Sequence, residues 1–542
     1  MPYIKLSSFI IFLFFIAIIF SGSYAWDDGS ITLAYGKTLS LFGKFSLNGS
    51  SEIVEGSSTL SIVFLVALIN YFYNLDFYQL IFLGKFNALL FTIMTALFTY
   101  KYLLTFIEDL RLRKSIVLLM LLFPMYTAEI MNGMEMTLFS FLLLLLYVGY
   151  TKTNFSYVAI AIPLILLTRF ESVAYLCLTF SLMFLFNTNE RRYFAALVLY
   201  TLIIFLFFTV FRLIYFDDFL PNTIWAKMND PYSPVDTFSS IKKKVSGGIE
   251  FFYIFNFLLV GFAFFKFKDL KKQLSFWLVV SFFIFSFVIG RNLGYNGRML
   301  LAVLPFILSY FVAGLYQAKF EIKRTKLIIL VAMIFSIGIN SPLWFKNLKI
   351  MHLGAINQGY IPNFINYNLD TSLGVTPENY KQTGLVVDKI RKILGLDTIV
   401  FMVPDVGGLG LCCDKIRVID IAGLTSKAIA KNDGSIILAD SFNLENPDLV
   451  ETHGVWSKSS KIYTSQYFRD EYTPIIFNGI FLWLKNSHLS VLQNNVQNFT
   501  ASLYSNGEFL NHLGFIKYGP YFEIDKNYFT SKYNAILVFE NQ

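Results

Sequence analysis

The chain has 542 residues, of which 56% are hydrophobic and 18% aromatic, while only 15% are charged, against roughly 25% in soluble globular domains. That composition excludes an ordinary soluble protein, and three cysteines, Cys177, Cys412 and Cys413, are too few for a disulfide-built scaffold. The net charge of +8 does not point to nucleic acid, because its Lys and Arg residues sit in short clusters between apolar runs, as membrane topology signals do.

Taken in chain order, apolar stretches predict membrane spans near 7–24, 80–101, 115–131, 135–150, 155–168, 172–187, 193–215, 249–265, 274–290, 299–318 and 327–344. A further apolar stretch at 58–74 is settled by the positive-inside rule. If it does not cross, the basic residues Lys5, Arg111, Arg113, Lys114, Lys152, Arg191, Arg192, Lys266, Lys268, Lys271, Lys272, Lys319, Lys323, Arg324 and Lys326 all fall on the cytoplasmic side. If it does cross, every later cluster flips outward, so 58–74 is expected to be a juxtamembrane or re-entrant helix packed on the bundle. Lys242, Lys243 and Lys244 are the exception, falling on the outer face. The small residues Ser23 and Ala25, ending the first run, also suit a cleaved signal peptide, the competing reading of that segment.

Eleven spans with the N-terminus inside place the polar remainder outside. The expectation is therefore an α-helical polytopic bundle over 1–344 and a periplasmic or extracellular α/β domain over 345–542. Strands are expected at 397–403, 416–421, 474–484 and 534–539, with a helix over 378–394. The glycine-rich segment 405–410 is expected to turn between strands without starting a helix, which argues against a dinucleotide site. The adjacent cysteines are expected to be plain core residues, too close for zinc geometry or an easy disulfide. His352, His453, His488 and His512 lack ligand spacing, so no metal or other cofactor is required, although a divalent cation is left open.

With this topology the polar residues at span ends converge on the outer face. Trp26-Asp27-Asp28, Glu52, Glu55, Asn132-Gly133-Met134-Glu135, Thr168-Arg169-Phe170-Glu171, Asp217 to Thr223 and Asn296-Gly297-Arg298 all lie there. Charges from several helices on one face describe a polar cavity. A carboxylate of Asp27 or Asp28 can take a proton from an acceptor hydroxyl, the neighbouring acid orienting it or raising its pKa. Arg169, Arg298 and Lys227 suit a phosphate, which as a leaving group needs charge stabilisation and no protonation.

The segments WDDGSITLAYGKTL (26–39), FSLNGSSEIVEGSSTL (45–60), MNGMEMTLF (131–139), LLTRFESVAYL (166–176), DDFLPNTIWAKM (217–228), YNGRMLLAVLPFI (295–307) and DVGGLGLCCDKIRVIDIAGLTSKAIAK (405–431) resemble, in that order, the mycobacterial arabinofuranosyltransferase B-like group of GT-C membrane glycosyltransferases. Leu220-Pro221-Asn222-Thr223 is the most specific match. Gly29-Ser30, Ser57-Ser58-Thr59 and Phe170 depart from the family pattern. The resemblance implies juxtamembrane helices in the first outer loop, a polyprenyl-phosphate sugar donor, a glycan or glycolipid acceptor in the cell envelope, and inversion at the anomeric carbon. It also implies a bacterial inner membrane, Asp28 or Asp27 as the base, and donor contacts from Arg169, Glu171, Arg298, Lys227, Asn222, Glu55 and Glu135.

Two other functions compete. A transporter or flippase of lipid-linked sugars would also need a polar cavity, but it would place charges near the midplane in paired halves. A membrane-anchored glycan-binding protein would leave the outer-loop acids without a role.

Overall fold

The computed structural model describes residues 2–228, 267–289, 295–317, 327, 328, 331, 341–360, 375–431, 445–451, 462, 465–496, 499–502 and 536–539. It is mostly helical, with one mixed sheet near the C-terminus. The expected span at 249–265, most of 327–344, and Lys242 to Lys244 lie outside the described residues.

The first helix, α1 (Pro2–Ser21), leads through Trp26 into α2 (Asp27–Phe42), which starts with the acid pair. α3 (Leu60–Tyr73) has 14 residues and rises about 21 Å, short of a hydrocarbon core about 30 Å thick. It packs on α2 through Val63 and Val66, fully buried, while Leu68, Tyr71, Phe72 and Tyr73 stay exposed. A helix with one face on protein and a bare apolar face suits a position along the bundle's edge.

α4 (Phe77–Phe98) opens with a capping box between Asp76 and Gln79 and continues through one π-helical turn to Leu103. Next come α5 (Leu110–Leu121) and α6 (Pro124–Asn132), bent by 56° where the chain passes into Pro124. Pro at the first helical position starts a new helix but cannot continue the old ladder, so the straight span expected over 115–131 is a broken one. α7 (Met136–Thr151), α8 (Phe155–Thr168), α9 (Ser172–Phe186) and α10 (Arg191–Phe216) follow, then the short α11 (Asn222–Met228).

Among the described residues, two helices are long and apolar enough to cross a membrane, Phe77–Leu103 and Thr188–Phe216. There are three if the bent pair is one span. Eleven full-length spans are thus not shown among the described residues: α7, α8, α9 and the helices Leu274–Ile289 and Leu304–Gln317 have 14 to 16 residues. Their polar ends fold into turns that carry the charged residues described below.

The C-terminal sheet has the order β2-β1-β3-β5-β4-β7-β6. Its strands are β1 (Ile399–Val403), β2 (Ile416–Asp420), β3 (Leu449–Val450), β4 (Tyr472–Phe477), β5 (Ile480–Lys485), β6 (Phe499–Ser502) and β7 (Ile536–Phe539). β1, β2 and β3 run parallel, with the Pro377–Ile393 helix packed beside them, and β5 reverses the direction. The single strand expected over 474–484 is a hairpin, because Asn478 and Gly479 both take positive φ (46° and 79°) and supply a two-residue turn. Two further corrections fall together: Gly407–Cys412 is a short helix, not a turn, and Cys412 and Cys413 at its end form a disulfide.

Candidate functional site

The start of α2 is held from three sides. The Lys85 ammonium of α4, buried, donates to Ser21 Oγ (2.8 Å), Gly22 O (2.7 Å) and Tyr24 O (3.0 Å), occupying carbonyls that the end of α1 leaves unpaired. The Trp26 amide donates to Asn132 Oδ1 at 2.9 Å. The third anchor is Asp27, whose two carboxylate oxygens accept from the amides of Gly407 (2.6 Å) and Gly408 (2.8 Å), at the N-terminus of the Gly407–Cys412 helix.

That approach needs glycine. A Cβ on Gly407 would lie 2.4 Å from the Asp27 carbonyl oxygen, and one on Gly408 would lie 2.3 Å from the Pro377 carbonyl oxygen. Asp27 is buried, and loss of hydration, then Asp405, push its pKa up to about 8 against the pull of the two amides; Asp28 adds to the rise. Its lone pairs are thus committed to the C-terminal region.

Asp28, one residue on, is half-buried and makes no hydrogen bond or ion pair among the described residues. It acts electrostatically on Asp27 and on Arg298. The acid pair therefore divides into an engaged member and an available one.

A charged cluster that Asp28 joins electrostatically through Arg298 is drawn from α6, α7, α8, α9, α11 and a 3₁₀ segment. Arg169, at the end of α8, donates from Nη1 to Glu135 Oε1 (2.7 Å) and from Nε to Glu171 Oε1 (2.7 Å), and its Nη2 also meets Glu171. All three guanidinium nitrogens thus face carboxylates. Arg298, in the 3₁₀ segment Tyr295–Ala302, lies 3.9 Å from Glu129 and contacts the Met134 sulfur. Glu129 in turn accepts the Met136 amide at 3.2 Å.

Lys227, on α11, is exposed and has no ion pair among the described residues. Accessible as it is, protein surrounds it closely enough that lost hydration lowers its pKa. Arg169 and Arg298 lower it further, while Glu171 and Glu135 oppose them.

Two expected site residues are engaged elsewhere. Glu55 is buried and forms a bidentate pair with Arg212 of α10 (2.6 and 2.9 Å), whose guanidinium stacks 4.7 Å from the Phe170 ring centre. Burial raises the Glu55 pKa, and Arg212 opposes the rise. Asn222 donates to Gly423 O (2.7 Å) and Leu424 O (2.9 Å), tying α11 to the loop after β2, and its own Oδ1 is buried without a partner among the described residues. That loop is ordered by Asp420, which accepts the amides of Ala422 and Thr425 (both 2.8 Å); burial lifts its pKa to about 7.

Further ties join the C-terminal region to α2, to the segment after it and to the turn after α10. Lys37 pairs with Asp414 (3.1 Å), Lys431 pairs with Asp218 (2.6 Å), and Asn48 donates to Cys413 O and Ile416 O. Directional contacts to backbone groups fix the register of the two regions, which a sliding apolar contact would not.

The structure thus brings together Asp28, Glu135, Arg169, Glu171, Arg298 and Lys227, and turns Asp27, Glu55 and Asn222 to other partners. Lys85, Glu129 and Arg212 were not singled out from the sequence, although a charge inside an apolar run is costly and is signal enough. Among the described residues no group of three or more His, Cys, Asp or Glu side chains has an arrangement able to hold a metal ion. No family model matches the chain, and no curated protein matches it significantly.

Proposed function

We propose that the protein is an inverting membrane glycosyltransferase, taking a sugar from a polyprenyl-phosphate donor to a glycan or glycolipid acceptor at the outer face. The observation that carries this reading is the division of labour in the acid pair: Asp27 is anchored by two amides, and Asp28 makes no hydrogen bond among the described residues while acting electrostatically on Arg298. Asp28 removes the acceptor hydroxyl proton as its oxygen bonds to the anomeric carbon. The bond from that carbon to phosphate breaks on the opposite face, and polyprenyl phosphate leaves with the electron pair. The proton ends on the Asp28 carboxylate, and the phosphate, a weakly basic anion, leaves without being protonated.

Charge on the departing phosphate falls to Lys227 and Arg298. Arg169, already faced by Glu135 and Glu171, instead holds those carboxylates in place. Eleven spans, with the C-terminal region outside a bacterial inner membrane, belong to the same proposal and rest on the distribution of basic loops.

The purified protein in vesicles with labelled polyprenyl-phosphate sugar and a glycolipid acceptor should release free polyprenyl phosphate and glycosylated acceptor in equal amounts. A flippase would move the donor between leaflets and release none; that outcome would replace this reading.

A further inference from the structure

A cavity of about 390 Å³ opens away from the charged cluster around Asp28. It lies among Tyr147 of α7, Gln273 and Ser275 at the start of the Leu274–Ile289 helix, and Phe306, Ser309, Tyr310 and Tyr316 of the Leu304–Gln317 helix. Tyr147 follows Glu135 by 12 residues on one helix, about 18 Å at 1.5 Å per residue. Tyr310 follows Arg298 by the same count, so the cavity is separate from the charged cluster around Asp28.

The chemistry of its wall is specific. Among the described residues no Lys, Arg, Asp or Glu lines it. Tyr310 donates to Gln273 Oε1 (2.8 Å) and shares a bond with Ser275 Oγ (2.7 Å), which fixes Gln273 and leaves its amide nitrogen uncommitted among the described residues. Ser309 is 7% exposed and makes no hydrogen bond among the described residues, and the Tyr147 and Tyr316 hydroxyls make none either. Uncommitted polar groups of this kind cost free energy against hydrocarbon unless a ligand or water meets them. Tyr147 packs edge-on against Phe306 at 5.6 Å, so aromatic surface stands beside the hydrogen-bonding groups.

A phosphate would lose hydration here with no cation among the described lining residues to replace it, and an alkyl chain would leave the hydroxyls and the amide unmet. A group that is uncharged, rich in hydroxyls, and apolar on its ring or chain faces satisfies both requirements. We infer that this cavity binds an uncharged polyhydroxyl group of monosaccharide size, entering from the membrane face opposite Asp28. The site stands on its own residues and does not depend on the transferase reading.

Two sources share that chemistry, a lipid headgroup and a free sugar. The probes are monoglucosyl diacylglycerol in nanodiscs and methyl β-glucoside in solution, read as affinity and as hydrogen-exchange protection of residues 273–276 and 303–316. Binding of the first alone identifies a headgroup site, and binding of the second a free-sugar site. Ser309→Ala and Tyr310→Phe, both small changes, should each weaken binding about ten-fold, since each removes one hydrogen bond and its partner's satisfaction. Asp28→Asn should leave it unchanged. Absence of binding by both probes in the folded protein, binding undiminished in the Ser309 and Tyr310 variants, or tighter binding of anionic phosphatidylglycerol would overturn the assignment.

Discussion

Asp27→Asn and Asp28→Asn separate anchoring from chemistry, because the two neighbours differ in what they touch. Asparagine at 27 keeps one carbonyl oxygen for one of the two amides and turns an NH₂ toward the other, leaving a buried backbone donor without an acceptor. The unmet donor costs about 1–3 kcal/mol, and the cost appears where the Gly407–Cys412 helix meets α2. At 28 the same change removes no hydrogen bond, so stability should stay within about 0.5 kcal/mol. Turnover should fall about 10²- to 10⁴-fold, the range for loss of a general base. Thermal unfolding in detergent and turnover of polyprenyl-phosphate sugar, measured on the same preparations, decide the matter. Full activity in Asp28→Asn would remove the base from this position, and an unaltered unfolding temperature in Asp27→Asn would remove the anchor.

Replacing Lys227 by Met should raise the donor KM about ten- to a hundred-fold, the worth of one charge-assisted hydrogen bond, with little change in unfolding. Arg169→Lys should instead lower stability by about 3–5 kcal/mol, because it breaks a buried pairing with Glu135 and Glu171; a stable Arg169→Lys with a raised donor KM would return the phosphate to Arg169. Glu55→Gln should cost a similar 3–5 kcal/mol by stranding Arg212, and the double variant Glu55→Leu with Arg212→Met should recover most of it; equal losses in single and double variants would count against a paired role. Asp27 and Asp420 have folded pKa values of about 8 and 7, above the ordinary 3.8, so the folded protein binds their protons more tightly than the unfolded chain does. Their contribution to stability is therefore full below about pH 4 and is lost as pH rises through 7 to 8, so Tm should fall from pH 6 to pH 9, less steeply in Asp27→Asn; a rising Tm would contradict it. A cysteine at Lys392, a side chain 66% exposed, should react with an impermeant reagent on intact cells, and one at exposed Lys152 should not, with Cys177 replaced beforehand; the reverse pattern would invert the topology.

Much of the architecture was legible because hydrophobicity is a local property. A long apolar run reads as a membrane-embedded helix wherever it lies, and residues such as Arg169, Glu171 and Arg298 stand out because they interrupt such runs. The sheet strands β1, β2 and β7 were equally plain as short apolar segments, while the β4–β5 hairpin was concealed by apolar residues on both sides of Asn478-Gly479. A break inside an apolar run, as between α5 and α6, changes direction without changing hydropathy, so span counts from hydropathy alone ran ahead of the helix lengths.

The sequence by itself determined that the chain carries helices apolar enough to span a membrane, that several charges interrupt or end its apolar runs, and that an acid pair follows the first helix. Only the tertiary structure decided which acid is committed, because the partners of Asp27 lie 380 and 381 residues away and those of Glu55 lie 157 away. Composition and spacing record which groups a chain carries. Whether a buried charge is anchored or available depends on what the fold brings within about 3 Å of it, and that distance is set by packing between segments remote in the chain.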